Sequence, residues 1–228
     1  SLGSRPFLIQ RFLPGGDAED LWSGFSAESK LEFLARFGQE VGRLHSIQAA
    51  RFTEGNPPAG QDRSWEAHVK DRLEKLVRYN RKASVLAFEE LSSATTRIVG
   101  YLSASAAQVS PALVHRDLCL RNALADPSGN FAALLDFEHA RLSDPLMDFV
   151  KLRMWVFEAY PGSEEPFMRG YRRLRPAPWP HERERLALCE GLELLGEIPY
   201  YHRAGNEPWL MQAVDRLRAW LVAPVSSR

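Results

Sequence analysis

The chain has 228 residues, 45% of them hydrophobic and 25% charged, with 29 basic residues balanced by 29 acidic ones. This is the composition of an ordinary globular protein, long enough for one large domain or two small ones. Zero net charge excludes a global field that would draw nucleic acid or an anionic membrane surface. No stretch approaches the roughly 20 apolar residues that cross a bilayer, and the opening SLGSRP lacks the pattern of a signal peptide. Two cysteines, Cys119 and Cys189, make no disulfide framework; a cytoplasmic protein with reduced thiols is expected.

Residues 7–12 (FLIQRF) read as a short strand ending in the turn Pro14-Gly15-Gly16. From Ser26, a candidate N-cap, the apolar spacing turns helical through Leu34, Phe37, Val41 and Leu44. A loop over 53–62 leads to a helix over 65–79, with Trp65, Val69, Leu73 and Leu76 on one face. A third helix covers about 88–109 through Leu91, Ile98, Leu102 and Val109, and Pro111 stops it. Strand-like pieces follow at 112–114, 123–125 and 131–135. Asp126-Pro127-Ser128-Gly129 between the last two is a β-turn sequence, with Pro second and Gly fourth. Beyond Asp144-Pro145 helices are predicted over 145–160, 164–173, 181–202 and 207–222. The expected class is α+β and mainly helical, with one small β-hairpin at its centre.

Chemistry concentrates in residues 113–140, LVHRDLCLRNALADPSGNFAALLDFEHA, where hard oxygen ligands sit among core-like residues. Asp117 and Asn122 form D-x-x-x-x-N directly after His115-Arg116, and Asp136 follows nineteen residues after Asp117. The predicted hairpin brings Asn122 and Asp136 to one end. Phosphoryl transfer needs a carboxylate to orient the attacking hydroxyl and accept its proton. It also needs oxygen ligands for a Mg²⁺ that bridges nucleotide phosphates. This residue set supplies both.

These residues resemble the H-R-D-x-x-x-x-N catalytic loop and the D-F-G metal motif of protein-kinase-like enzymes, the second appearing here as Asp136-Phe137-Glu138. That variant is more similar to the small-molecule branch, the aminoglycoside phosphotransferases and choline or ethanolamine kinases. The segment 142–149 (LSDPLMDF) is similar to the SDPxxDF stretch of aminoglycoside phosphotransferases. Residues 41–47 (VGRLHSI) resemble their LGxLHxI helix end, and 7–15 (FLIQRFLPG) their inter-lobe linker. The resemblance implies Asp117 as catalytic base and Asn122 and Asp136 as Mg²⁺ ligands. It implies His115 as a brace of the loop and Asp148 as its pin from the next helix. Backbone groups of Gln10, Arg11 and Phe12 would meet the base of ATP or GTP. Arg116 stands where this branch usually has Gly.

The resemblance also implies a division into a linker strand and turn over 1–16 and the helical C-terminal lobe over 17–228. The catalytic loop would span 113–122 and the metal motif 136–138. The family's β-rich nucleotide lobe, with its phosphate-pairing lysine, is not seen ahead of Phe7, and the first lysine is Lys30, inside a helix. The implied activity is transfer of a nucleotide γ-phosphoryl group to a hydroxyl of a small molecule, an aminoglycoside-type antibiotic being the first candidate. A truncated or degenerate homologue that binds ligand or a partner without turnover is the alternative.

Other residues carry weaker signals. Glu138 and His139 stand as candidate substrate contacts, Glu138 with a metal role as its alternative and His139 with simple exposure. His45 reads as a satisfied helix-end histidine. Trp155, Phe157 and Tyr160 read as core. Glu158, Glu190, Glu193 and Glu197 read as a solvated helix face, with attraction of a cationic substrate as the competing reading.

Overall fold

The computed structural model describes residues 12–53, 64–105, 109–126 and 128–224. Gln10, Arg11 and the body of the expected strand over 7–12 lie outside the described residues.

A short strand β1 (Gly16–Asp17) runs into one turn of helix, α1 (Ala18–Leu21), capped by the Asp17 carboxylate on the Asp20 N–H. Helix α2 (Ala27–Leu44) starts at Ser26, whose hydroxyl accepts from Ser29 N–H and satisfies a donor the first turn cannot. Helix α3 (Trp65–Ala83) is capped in the same way by Ser64. Helix α4 (Phe88–Ser105) leads to strand β2 (Ala112–Val114) and then the functional loop. Strands β3 (Ala123–Ala125) and β4 (Phe131–Leu134) form the expected hairpin. Its turn is closed by Gly129 N–H on Asp126 O at 3.0 Å, while the Asp126 carboxylate accepts from Ser128 and Asn130 N–H. Strand β5 (Arg141–Ser143) leads into α5 (Leu146–Leu152), and one wide turn over Arg153–Phe157 follows, Glu158 N–H reaching Arg153 O at 2.9 Å. Helices α6 (Glu164–Arg172), α7 (Glu182–Ala204) and α8 (Glu207–Val222) complete the fold.

The mainly helical α+β class read from the sequence is what the structure shows, with the small hairpin at its centre. The hairpin is not the whole of the β structure. β1 pairs antiparallel with β3, making a three-stranded sheet in the order β1-β3-β4, and β2 pairs with β5 as a separate two-stranded sheet. A strand of two residues is too short to show any period, so β1 has no signature in the sequence.

Two seams hold the helices. The first joins α2 to α6 and is apolar. Phe37 meets Phe167 edge-on at 5.2 Å and stacks on Phe131 at 6.0 Å, and Phe149 meets Tyr171 at 5.1 Å. Each such ring contributes about 2 to 3 kcal/mol by leaving water. The helices approach so closely because Gly38 and Gly170 lie at the crossing. A Cβ on Gly170 would fall 1.8 Å from Ala35 O, and one on Gly38 2.0 Å from Phe167 O. The second seam sets α7 against α3, α4, α5 and α8. Pro199 interrupts α7 and leaves Leu195 O without its helical N–H. Asn80 of α3 replaces it, Nδ2 donating to Leu195 O at 2.7 Å. Among the described residues no helix is long and apolar enough to cross a membrane.

Candidate active site

The site is built where the two sheets meet. The chain leaves β2 at Val114, passes through His115, Arg116 and Asp117, makes a short turn over Leu120–Asn122, and enters β3. Asn122 Nδ2 donates to both the backbone oxygen and Oδ2 of Asp117, each at 2.8 Å. One amide therefore locks the Asp117 side chain against its own loop and leaves the Asn122 oxygen for another partner. Beyond β3–β4 the ladder continues one step, Leu135 N–H donating to Asn122 O at 2.8 Å. The next residue after that bond is Asp136. Asp136 is exposed and takes a left-handed backbone, φ 60°, a conformation an aspartate tolerates better than most side chains.

His115 ties these parts together. It is fully buried, its Nε2 donates to Leu135 O at 2.7 Å, and its Nδ1 accepts from Asp117 N–H at 3.3 Å. The carbonyl can only accept, so the ring proton sits on Nε2. The same ring packs on Phe137 with centroids 4.6 Å apart.

Asp148, in the first turn of α5, holds the loop from below. Its Oδ2 accepts from His115 N–H at 2.8 Å and its Oδ1 from Arg116 N–H at 2.6 Å. His45, at the end of α2, orients that carboxylate, Nε2 lying 3.0 Å from Asp148 Oδ2. The other ring nitrogen meets the Tyr171 hydroxyl at 2.9 Å. Burial pushes the Tyr171 phenol well above its ordinary range, so it stays protonated. His45 is thus a satisfied buried histidine, as its place at a helix end suggests, and a brace of the loop that the sequence did not reveal. Asp144, just ahead of α5, is held separately: Arg185 of α7 grips its carboxylate with two bonds, at 2.7 and 2.9 Å, inside the protein.

The structure therefore links His115, Asp117, Asn122 and Asp148 through direct hydrogen bonds, with Asp136 one residue beyond the Leu135 that bonds both His115 and Asn122. It does not join the remaining candidates to that group. Glu138 and His139 are exposed and contact each other, Oε1 to Nε2 at 3.5 Å. Phe12 is 85% exposed at the edge of the described residues. A groove of about 1120 Å³ between α2, β4 and α6 reaches Phe137 but includes neither Asp117 nor Asn122. Both cysteines are free thiols, and burial raises each above its ordinary value, so neither is primed as a nucleophile.

The solvated-face reading of α7 is wrong for two residues. Glu193 and Glu197 are buried, 8% and 6% exposed, and bond Lys151 of α5 at 3.0 and 2.7 Å. Burial alone would depress the Lys151 ammonium, but the two carboxylates outweigh it and raise it above its ordinary value. Glu158 and Glu190 pair near the surface with Arg216 and Arg153.

The sequence model of the phosphotransferase enzyme family matches residues 1–187. The chain belongs to the phosphotransferase enzyme family. No curated protein matches it significantly in sequence. Among solved structures it is similar to a thermostable mutant of aminoglycoside phosphotransferase APH(4)-Ia, in ternary complex with ADP and hygromycin B. That match has a TM-score of 0.66 and 19% identity over 92% of this chain and 70% of that one. It is also similar to a GDP complex of aminoglycoside 2'-phosphotransferase-IIIa (TM-score 0.61, 17% identity, 92% and 69%) and to a type I macrolide 2'-phosphotransferase (0.55, 19%, 85% and 60%). This phosphotransferase chain thus shares the protein-kinase-like fold and spans 60 to 70% of the length of those three chains.

Proposed function

We propose that the chain carries the acceptor-activating and metal-binding part of a small-molecule kinase. The reaction moves the γ-phosphoryl group of ATP or GTP to a hydroxyl of a small molecule. One observation carries the reading: the Asp117 carboxylate is held by Asn122 Nδ2, which leaves the Asn122 amide oxygen to another partner, and Leu135, the residue before Asp136, bonds the Asn122 backbone.

Asp117 orients the acceptor hydroxyl and takes its proton as the oxygen attacks. Its own loop keeps it aimed, through Asn122 Nδ2 on one side and the bond from its N–H to His115 on the other. Asn122 Oδ1 and the Asp136 carboxylate fit Mg²⁺, a hard cation that takes one or two carboxylates and completes its shell with water and phosphate oxygens. When bound, Mg²⁺ offsets the negative charge that grows on the phosphates. Asp136 is exposed and so open to a nucleotide. Gln10, Arg11 and Phe12 are proposed to meet the nucleotide base. The match to the family from residue 1 onward supports that placement.

An aminoglycoside-type antibiotic is one proposed acceptor. Glu193 and Glu197 are spent on internal cations, so a polycationic acceptor would need other carboxylates, Glu138 being an exposed one.

A calorimetric titration of the chain with ATP and with GTP, each with and without Mg²⁺, is the first test. Mg²⁺-dependent binding that Asp136→Ala weakens supports the reading, and an acceptor screen then follows. Nucleotide binding indifferent to both Mg²⁺ and Asp136 would overturn the ligand assignment.

A further inference from the structure

Beneath the loop lies a buried ionic layer to which the proposed reaction assigns no part. It gathers Arg72 from α3, Arg116 from the loop, Lys151 from α5, and Glu193 and Glu197 from α7. Glu193 is at its centre. Its Oε2 takes Arg116 Nη2 at 2.7 Å and Arg72 Nη2 at 3.5 Å, and its Oε1 takes Lys151 Nζ at 3.0 Å. Burial alone would raise the Glu193 carboxyl, but the three cations outweigh it and hold it far below the usual carboxylate range.

Residue 116 is the reason this layer bears on chemistry. Its φ is 74°, in the left-handed region where a side chain larger than Gly is strained. An arginine persists there because it is held twice. Its N–H donates to Asp148 Oδ1 at 2.6 Å, and its guanidinium reaches inward to Glu193. Among the described residues Nε and Nη1 of Arg116 are buried without hydrogen-bond partners, so the Nη2 bond to Glu193 is the guanidinium's hydrogen-bonded anchor. Asp148 and Lys151 are three residues apart on α5 and share a face of the helix. One helix thus grips the backbone of residue 116 and the carboxylate that holds its side chain. The next residue is Asp117. A change in φ at 116 turns the peptide that follows and swings the Asp117 carboxylate away from Asn122 Nδ2, now 2.8 Å distant.

We propose that Glu193 is a positioning residue for the catalytic carboxylate: by holding Arg116 Nη2 it maintains the left-handed turn that aims Asp117. The proposal rests on the reading of Asp117 as the base. It predicts that Gly at 116, which needs no latch, makes the loop independent of Glu193. A purely structural ion pair predicts no such rescue.

The test compares the full chain with Glu193→Gln, Arg116→Gly and the double variant. Hydrogen exchange is read at the His115 and Arg116 (or Gly) amides, and MgATP and MgGTP turnover with the best acceptor from the screen. Glu193→Gln is expected to speed exchange at these amides about tenfold and to lower kcat about tenfold, with the nucleotide KM within about twofold. The double variant is expected to match Arg116→Gly in both. Glu193→Asp, which keeps the charge but shortens the reach, should fall between parent and Gln and serves if Glu193→Gln does not fold. Unchanged exchange in the Glu193 variants, or additive losses in the double variant, overturn the latch. A parent chain that binds no Mg-nucleotide and turns none over overturns the phosphotransfer reading instead, and exchange alone then decides the latch.

Discussion

The α2–α6 seam and the layer under the loop over 115–117 are both buried, yet they do opposite work. The first is rings and glycines: Phe37, Phe131 and Phe167 around the crossing of Gly38 and Gly170. Its stabilisation is non-directional and proportional to the area removed from water. The second is carboxylates and cations, Glu193 and Glu197 against Arg72, Arg116 and Lys151, with Asp148 on the loop backbone above them. Bringing those charges inside costs free energy that pairing only repays, so the layer contributes little net stability. What it supplies is direction. Asp148 accepts from two successive backbone N–H groups and from His45, which ties two neighbouring amides of the loop to one carboxylate. The packed seam makes the fold, and the charged layer aims one side chain.

The comparison breaks most sharply at Asp117. Asp117→Ala should lower turnover about a thousandfold, near 4 kcal/mol of barrier, while the melting temperature moves little. Single-turnover kinetics beside a thermal melt check it, and near-normal turnover would remove the assignment. Gly170→Ala should do the reverse. Its Cβ would meet Ala35 O at 1.8 Å, so the crossing must open at a cost of about 3 kcal/mol, a fall of roughly 10 °C in a domain of this size. Retained stability would mean that α2 and α6 cross more loosely than described.

A smaller effect separates the charges by pH. Glu193 is depressed in the folded protein, so its contribution is complete above the unfolded value near 4.5 and is lost as pH falls through the folded one. Glu197 is raised, mainly by burial, and acts with the opposite sign, its contribution present below 4.5 and lost as pH rises. Glu193→Gln should therefore flatten the decline of melting temperature below about pH 4.5 relative to the parent chain. An unchanged acid limb would show that Glu193 carries no linked proton. The smallest effect belongs to an exposed pair. Lys70 and Glu66, bonded at 2.6 Å on α3, are each more than half exposed, and Lys70→Ala should cost no more than about 0.5 kcal/mol by denaturant titration.

The helices were legible because each carries its apolar spacing within one segment, and α2 and α3 carry their caps there too, Ser26 and Ser64. The D-x-x-x-x-N loop and the Asp126–Gly129 turn were legible for the same reason: their partners lie within five residues. Glu193 was misread because a stripe of acids at 190, 193 and 197 looks the same whether water or Lys151 faces it. Helix α7 is covered by neighbours on most sides, and the sequence of α7 does not contain those neighbours.

By itself the sequence determined the helices, the central hairpin and the class, and it marked a chemical set, because period and turn closure are local and the residues they need are close in the chain. Tertiary structure alone decided what aims the set. His45 reaches Asp148 across 103 residues and Arg116 reaches Glu193 across 77. A buried charge takes whichever partner the packed helices bring within about 3 Å, and that proximity exists only after the apolar seams have closed.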